Sequence, residues 1–182
     1  AASDVYKRQL KTSQHTVDQG DVLRLADVGT GPVSGLLSSY GLTMTMVPAG
    51  GEIPGSYWGD EEAGLIGNEL LVRADTPLHS ILHETCHYIC MNQARREGLD
   101  TDAGGDYDEE NAVCYLQILL ANHIKQFGAS RMLKDMDRWG YTFRLGSAQA
   151  WFERDADDAK AWLLERKLIT RRLQPSWSLR KD

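Results

Sequence analysis

The segment His83-Glu84-Thr85-Cys86-His87 sets two imidazoles four residues apart, with a carboxylate directly after the first. Residues 77–92 around it have helical patterning, with Leu78, Leu82 and Ile89 as an apolar stripe and Cys86 at its edge. On a helix, residues i and i+4 stack on one face. Both imidazoles can then reach a single Zn²⁺ at roughly 2.0–2.1 Å. Glu84 is rotated toward the next face, where it can take a proton from a water at the metal. This spacing implies zinc-assisted hydrolysis, with His83 and His87 as ligands and Glu84 as general base.

Two histidines hold zinc weakly, and a catalytic site needs a third protein ligand and one open position. Asp108-Glu109-Glu110-Asn111-Ala112 opens a second long helical segment. On a wheel of 3.6 residues per turn, Glu109 shares a stripe with Val113, Leu116 and Leu120, and Glu110 points about 100° away. A carboxylate on a core-facing stripe is costly unless a cation neutralises it. Glu109 is therefore the expected third ligand. Its other reading is a capping box with Asp106, its side chain reaching back to a backbone N–H. Glu110 and the aspartates within residues 102–108 are the remaining alternatives.

These residues resemble the gluzincin zinc metallopeptidases, in particular their small, minimal-domain members. His83, Glu84 and His87 match the first motif of that family, and Glu109-Glu110-Asn111-Ala112 looks like its second, E-x-x-A. The resemblance covers roughly residues 42–120. It implies a zincin-like α+β fold: a small twisted sheet whose edge strand precedes the H-E-x-x-H helix, a glutamate-bearing helix, and further C-terminal helices. It also implies a peptide or protein substrate, aligned by strand addition along residues 69–73. A second donor to the developing oxyanion is expected, with Tyr88, Tyr107, Tyr115 and Tyr141 as candidates. His123 is a poor one, lying about 21 Å along the same helix from Glu109. One place past Ala112 many members carry Asp or Asn to support a histidine ligand, and this chain has Val113.

The elements around the motifs follow from periodicity and punctuation. Residues 22–26 and 33–40 read as short helices, the second closed by Gly41. Residues 42–47 alternate as a strand, residues 48–55 form a Gly/Pro loop, and residues 56–58 suit a further short strand. Residues 63–66 and 69–73 flank Gly67-Asn68, a tight hairpin turn. Asp75 or Thr76 can cap the histidine helix, with Pro77 at its first position. After a loop at 99–105 come helices at 107–127 and 130–139, an extended piece at 141–145, and a helix or helix pair at 147–167. The basic tail beyond Leu168 reads as loose and solvated.

Composition narrows the classes. The chain has 182 residues, 42% hydrophobic and 25% charged, enough for one domain with a core, set at residues 10–182. Residues 4–9 resemble a translated sequencing-library adaptor, the alternative being an ordinary polar terminus, and residues 1–9 are set aside from the fold. A net charge of −6 argues against nucleic acid and anionic membrane as partners. No apolar run approaches the ~20 residues of a membrane span. Three cysteines, Cys86, Cys90 and Cys114, favour free thiols and a reducing, cytoplasmic setting.

Other candidates rank lower. His79, one turn before His83, is expected near solvent at the helix start. Cys86 and Cys90 are expected as core thiols, too close along one helix for a disulfide. The acidic run at 153–158 is a solvated face, and Trp58, Trp139, Trp151 and Trp162 are core or groove aromatics. Two readings compete with a peptidase. In a metal-stabilised interaction module the zinc is structural, but such a site has no use for Glu84. In a metal-free binding domain the histidine spacing is accidental.

Overall fold

A computed structural model of the chain describes residues 21–56, 60–100 and 103–182. Residues 1–9, and Tyr57 and Trp58 of the expected 56–58 strand, lie outside them; Ser56 is not in a strand. Among the described residues the fold is α+β, with eight helices and one three-stranded sheet. In chain order the elements are α1 (Leu25–Val28), α2 (Thr30–Ser38), β1 (Thr43–Met46), β2 (Gly64–Ile66) and β3 (Glu69–Val72). There follow α3 (Leu78–Cys90), α4 (Gln93–Glu97), α5 (Tyr107–Ala121), α6 (Gly128–Trp139), α7 (Ala148–Arg154) and α8 (Asp157–Glu165).

The hairpin forms where the turn chemistry places it, with β2 antiparallel to β3 around Gly67 at φ 57°. β1 then pairs in parallel with the other side of β3, from Thr43↔Glu69 to Met46↔Val72. The sheet order is β1-β3-β2. β3 is thus the central strand, not the expected edge. Both its hydrogen-bonding edges are taken, so a peptide cannot add to residues 69–73. The outer side of β2 is also covered locally. A Cβ on Gly64 would meet the Pro54 carbonyl oxygen at 2.0 Å, and Leu65 N–H donates to Gly55 O at 3.4 Å.

α3 is the buried centre of the molecule, and every residue in it except Glu84 is buried. Its start differs from the expected cap. Pro77 is itself the N-cap, with no side-chain cap bond. The Thr76 hydroxyl instead accepts Arg73 N–H at 2.8 Å, and Asp75 pairs with Arg73. Leu78 N–H, an orphan donor of the first turn, is satisfied by Leu23 O at 2.9 Å. A buried helix start next to other backbone has no need of a side-chain cap. The helix stops at Cys90, and Asn92 caps the short α4, accepting Arg95 N–H at 3.0 Å.

α5 packs on α3, α6 and α8, and residues 112–121 are buried without interruption. Each fully buried Leu or Ile there contributes about 1.5–3 kcal/mol. That offsets the cost of the one amide among them, Gln117. α6 ends on Gly140 in the left-handed region at φ 95°. The expected 147–167 segment is a helix pair, opened by Ser147 accepting Ala150 N–H at 3.1 Å.

The C-terminal tail is not loose. An antiparallel bridge between Ile169 and Pro175 turns it back, and Leu168 and Ile169 are buried. Trp177 lies against Tyr40 at 5.5 Å and against His123 at 4.9 Å between ring centroids. Arg166 and Arg180 lie over the Trp162 ring at 4.0 and 5.3 Å. Arg166 and Arg180 are amphipathic, and their stems and guanidinium planes cover aromatic surface, whereas Lys167, Arg171, Arg172 and Lys181 are exposed.

No helix among the described residues is long and apolar enough to cross a membrane. Cys86, Cys90 and Cys114 are free thiols and buried, as expected of core cysteines. Burial pushes all three thiols well up from their ordinary value.

Candidate metal centre

The facing sides of α3 and α5 build the site. His79, His83 and His87 recur every four residues along α3, and Glu110, Cys114 and Gln117 line one face of α5. The helices run antiparallel, so that His87 meets Glu110 while the His79 turn meets Gln117.

The Nε2 atoms of His83 and His87 stand 3.1 Å apart with their rings edge to face. The Glu110 carboxylate closes the triangle, with Oε1 3.6 Å from His87 Nε2 and Oε2 3.9 Å from His83 Nε2. These are the donors that come within metal-binding reach of one another among the described residues. Donors around a tetrahedral Zn²⁺ at 2.0–2.2 Å stand roughly 3.3–3.6 Å apart. The trio's separations of 3.1, 3.6 and 3.9 Å lie around that span, so the group could hold a metal ion.

Glu109, the expected third ligand, is elsewhere. Its side chain is only 5% exposed, and Arg95 Nη1 donates to both its oxygens at 2.8 Å while Arg180 Nη1 approaches at 3.4 Å. The wheel argument was right that this carboxylate is buried and needs a cation. The cations are two guanidiniums. Burial holds its pKa above the ordinary carboxylate range although Arg95 and Arg180 pull it down. The capping-box alternative is half present: Asp106 accepts Glu109 N–H at 2.9 Å, but the Glu109 side chain does not return the bond.

The neighbour of the histidine pair that spacing did not reveal is Gln117. Its Oε1 is 2.8 Å from His83 Nδ1, and its Nε2 is 3.5 Å from His79 O. An amide oxygen only accepts, so His83 Nδ1 carries the proton and Nε2 presents its lone pair to the Glu110 side. Val113, one place past Ala112, makes no such polar contact, and Gln117 holds His83 instead. A lone Gln inside the apolar run 112–121 was the available signal.

His79 is buried, not at the solvent edge. Its Nδ1 is 3.2 Å from the Tyr141 hydroxyl, and its Nε2 is buried without a hydrogen-bond partner. Burial drives its pKa down to about 3, with His83 and Arg24 nearby adding to the effect, so it stays neutral. Trp139 packs on it at a tilt, with ring centroids 4.8 Å apart, and donates Nε1–H to Glu62 at 3.0 Å.

Of the four candidate tyrosines, Tyr141 packs on His83, with ring centroids 5.9 Å apart. Its hydroxyl is engaged by His79 and by Gln117, and burial raises its pKa well above the ordinary value. It joins His79, His83 and Gln117 on one side of the histidine pair. Tyr115 stacks on Phe152, Tyr88 sits under Arg96, and Tyr107 is largely exposed. Glu84 is the half-exposed residue of α3, so the expected general base sits on the open side of a helix whose other residues are sealed.

Against known protein families, curated proteins and solved structures, the chain finds no match.

Proposed function

We propose that this chain is a zinc-dependent hydrolase of peptide bonds with a zincin-like site, in which His83, His87 and Glu110 hold the metal and Glu84 is the general base. The reading rests on one observation: two Nε2 atoms and a carboxylate converge between α3 and α5, with Glu84 at the open side. Two histidines and a glutamate are a donor set shared by catalytic zinc and non-haem iron, each with a position left for water or substrate; a glutamate directly after the first histidine, Glu84 here, favours zinc-assisted hydrolysis.

A bound Zn²⁺ would supply Lewis acidity toward the scissile carbonyl and bring its water toward a pKa of about 7. Glu84 takes a proton from the attacking water and returns it to the leaving amine. Gln117 keeps His83 in the tautomer that ligates. His83 and His87 are buried, and a low-polarity surround strengthens each electrostatic contact. A purely structural metal site would not need Glu84, which disfavours an interaction module.

The test is metal content together with cleavage of a mixed peptide library. Protein purified without chelator is expected to hold near one zinc per chain. Stripping with chelator should abolish cleavage and added zinc should restore it. A chain that takes up no zinc, or a stripped chain that cleaves at an unchanged rate, would sink the proposal. A second expectation concerns Gln117→Leu, which keeps the volume and removes the acceptor for His83 Nδ1–H. Zinc affinity should fall about 10–100-fold. An unchanged Kd by dye competition would show that Gln117 does not orient His83.

A further inference from the structure

The C-terminal tail ends on the two helices that carry the ligand trio. Main-chain N–H of Arg180 donates to Ile89 O at 3.1 Å, in the last turn of α3. Its guanidinium lies between α3 and α5, with Nη1 3.3 Å from Cys90 O and 3.4 Å from Glu109 Oε2. Cys90 is three residues beyond His87, and Glu109 is the residue before Glu110. One side chain therefore touches the ends of both ligand-bearing segments.

The surroundings make this joint specific. Arg95 donates to both Glu109 oxygens and, through Nη2, to Ala103 O at 3.1 Å and Gly104 O at 2.9 Å. Arg96 donates to Tyr88 O, Met91 O and Arg180 O. Gly105 N–H reaches Glu110 Oε1 at 3.3 Å, and a Cβ at Gly105 would fall 2.5 Å from the Glu109 carboxylate. Arg95, paired through two bonds, already neutralises Glu109. The second guanidinium, 71 residues further on, adds a link to the negative, carbonyl end of α3. Burying another cation beside Glu109 serves the junction between the two helices, where the separation of Glu110 from His87 is set.

We propose that Arg180 is a positioning residue of the metal centre: through Glu109 it locks the first turn of α5 to the last turn of α3 and so holds Glu110 against His83 and His87. This rests on the reading of that trio as a metal site. Metal affinity requires donors held within a few tenths of an ångström, and contacts behind the ligands supply that hold.

The experiment measures Zn²⁺ Kd by dye competition, the Co²⁺ absorption spectrum and the thermal midpoint of the metal-free protein. It compares wild type, Arg180→Ala, Arg180→Lys, Glu109→Gln, the Glu109→Gln/Arg180→Ala double variant, and Arg172→Ala as an exposed tail control. Arg180→Ala should weaken zinc about 10–100-fold and change the Co²⁺ spectrum. Arg180→Lys keeps the charge, cannot span both contacts and should fall between. The double variant should bind no more weakly than Glu109→Gln alone, and Arg172→Ala should match wild type. Wild-type affinity and spectrum in Arg180→Ala, with only the midpoint lowered, overturns the inference and leaves the metal site standing. Should Arg180→Ala not fold, unchanged zinc affinity in Arg180→Lys overturns it equally. A wild type without zinc overturns the metal reading itself, and this inference with it.

Discussion

Glu84→Gln is expected to keep its zinc and lose turnover by about 10²–10⁴-fold, the span that a positioned general base contributes. The substitution preserves size and hydrogen bonding but leaves no group able to accept a proton near neutral pH. The argument depends on where Glu84 sits. α3 is otherwise sealed, and Glu84 follows His83 without joining the His83–His87–Glu110 convergence. Metal content and kcat should be read on the same preparation. Retained zinc with an unchanged rate would remove Glu84 from the chemistry. Lost zinc would make it a ligand.

Glu110→Ala and Glu109→Ala are adjacent substitutions with opposite expected signatures. Glu110→Ala leaves two imidazoles to hold the ion and should weaken zinc by more than about 100-fold, beyond what loss of a supporting contact does. The metal-free protein should melt close to wild type, because a half-buried carboxylate is removed from beside two histidines. Glu109→Ala instead strips the anion from Arg95 and Arg180. Breaking a buried pair costs about 3–5 kcal/mol, and the low end applies because Arg95 is a third exposed and screened by solvent. The metal-free midpoint should therefore drop markedly, with zinc weakened only as far as Glu110 is displaced. The reverse pattern would return the ligand role to Glu109.

The choice between these two glutamates shows where reading the chain ran out. A helical wheel assigns a carboxylate to the core when one face of the helix is apolar. α5 is buried on nearly all sides from Ala112 to Ala121, so it offers no single inward stripe. The wheel detected that Glu109 is buried. It could not tell a metal ion from a guanidinium, because the cations arrive from Arg95 on α4 and Arg180 in the tail. His79 failed for a related reason, since a helix start is exposed only when nothing packs on it. Here Tyr141 and Trp139 do.

Strand order divides the same way. The Gly67-Asn68 turn joins β2 to β3 through local backbone preference, and that pairing was legible. The parallel β1–β3 pairing joins segments more than 20 residues apart and depends on which faces the helices cover. It moved β3 from the edge to the centre of the sheet.

Local spacing within the chain thus determined the α+β class, the histidine helix with its four-residue repeat, the adjacent Glu84, and the hairpin. Each depends on interactions within a turn or two of backbone, where geometry is nearly independent of the rest of the fold. The rotation of α5 that aims Glu110 at the histidines, the Gln117 contact that sets the His83 tautomer, and the docking of Arg180 on both helices were decided only in the tertiary structure. They require groups far apart in sequence to share one buried space, and there the desolvation of every charge and amide dictates its partner.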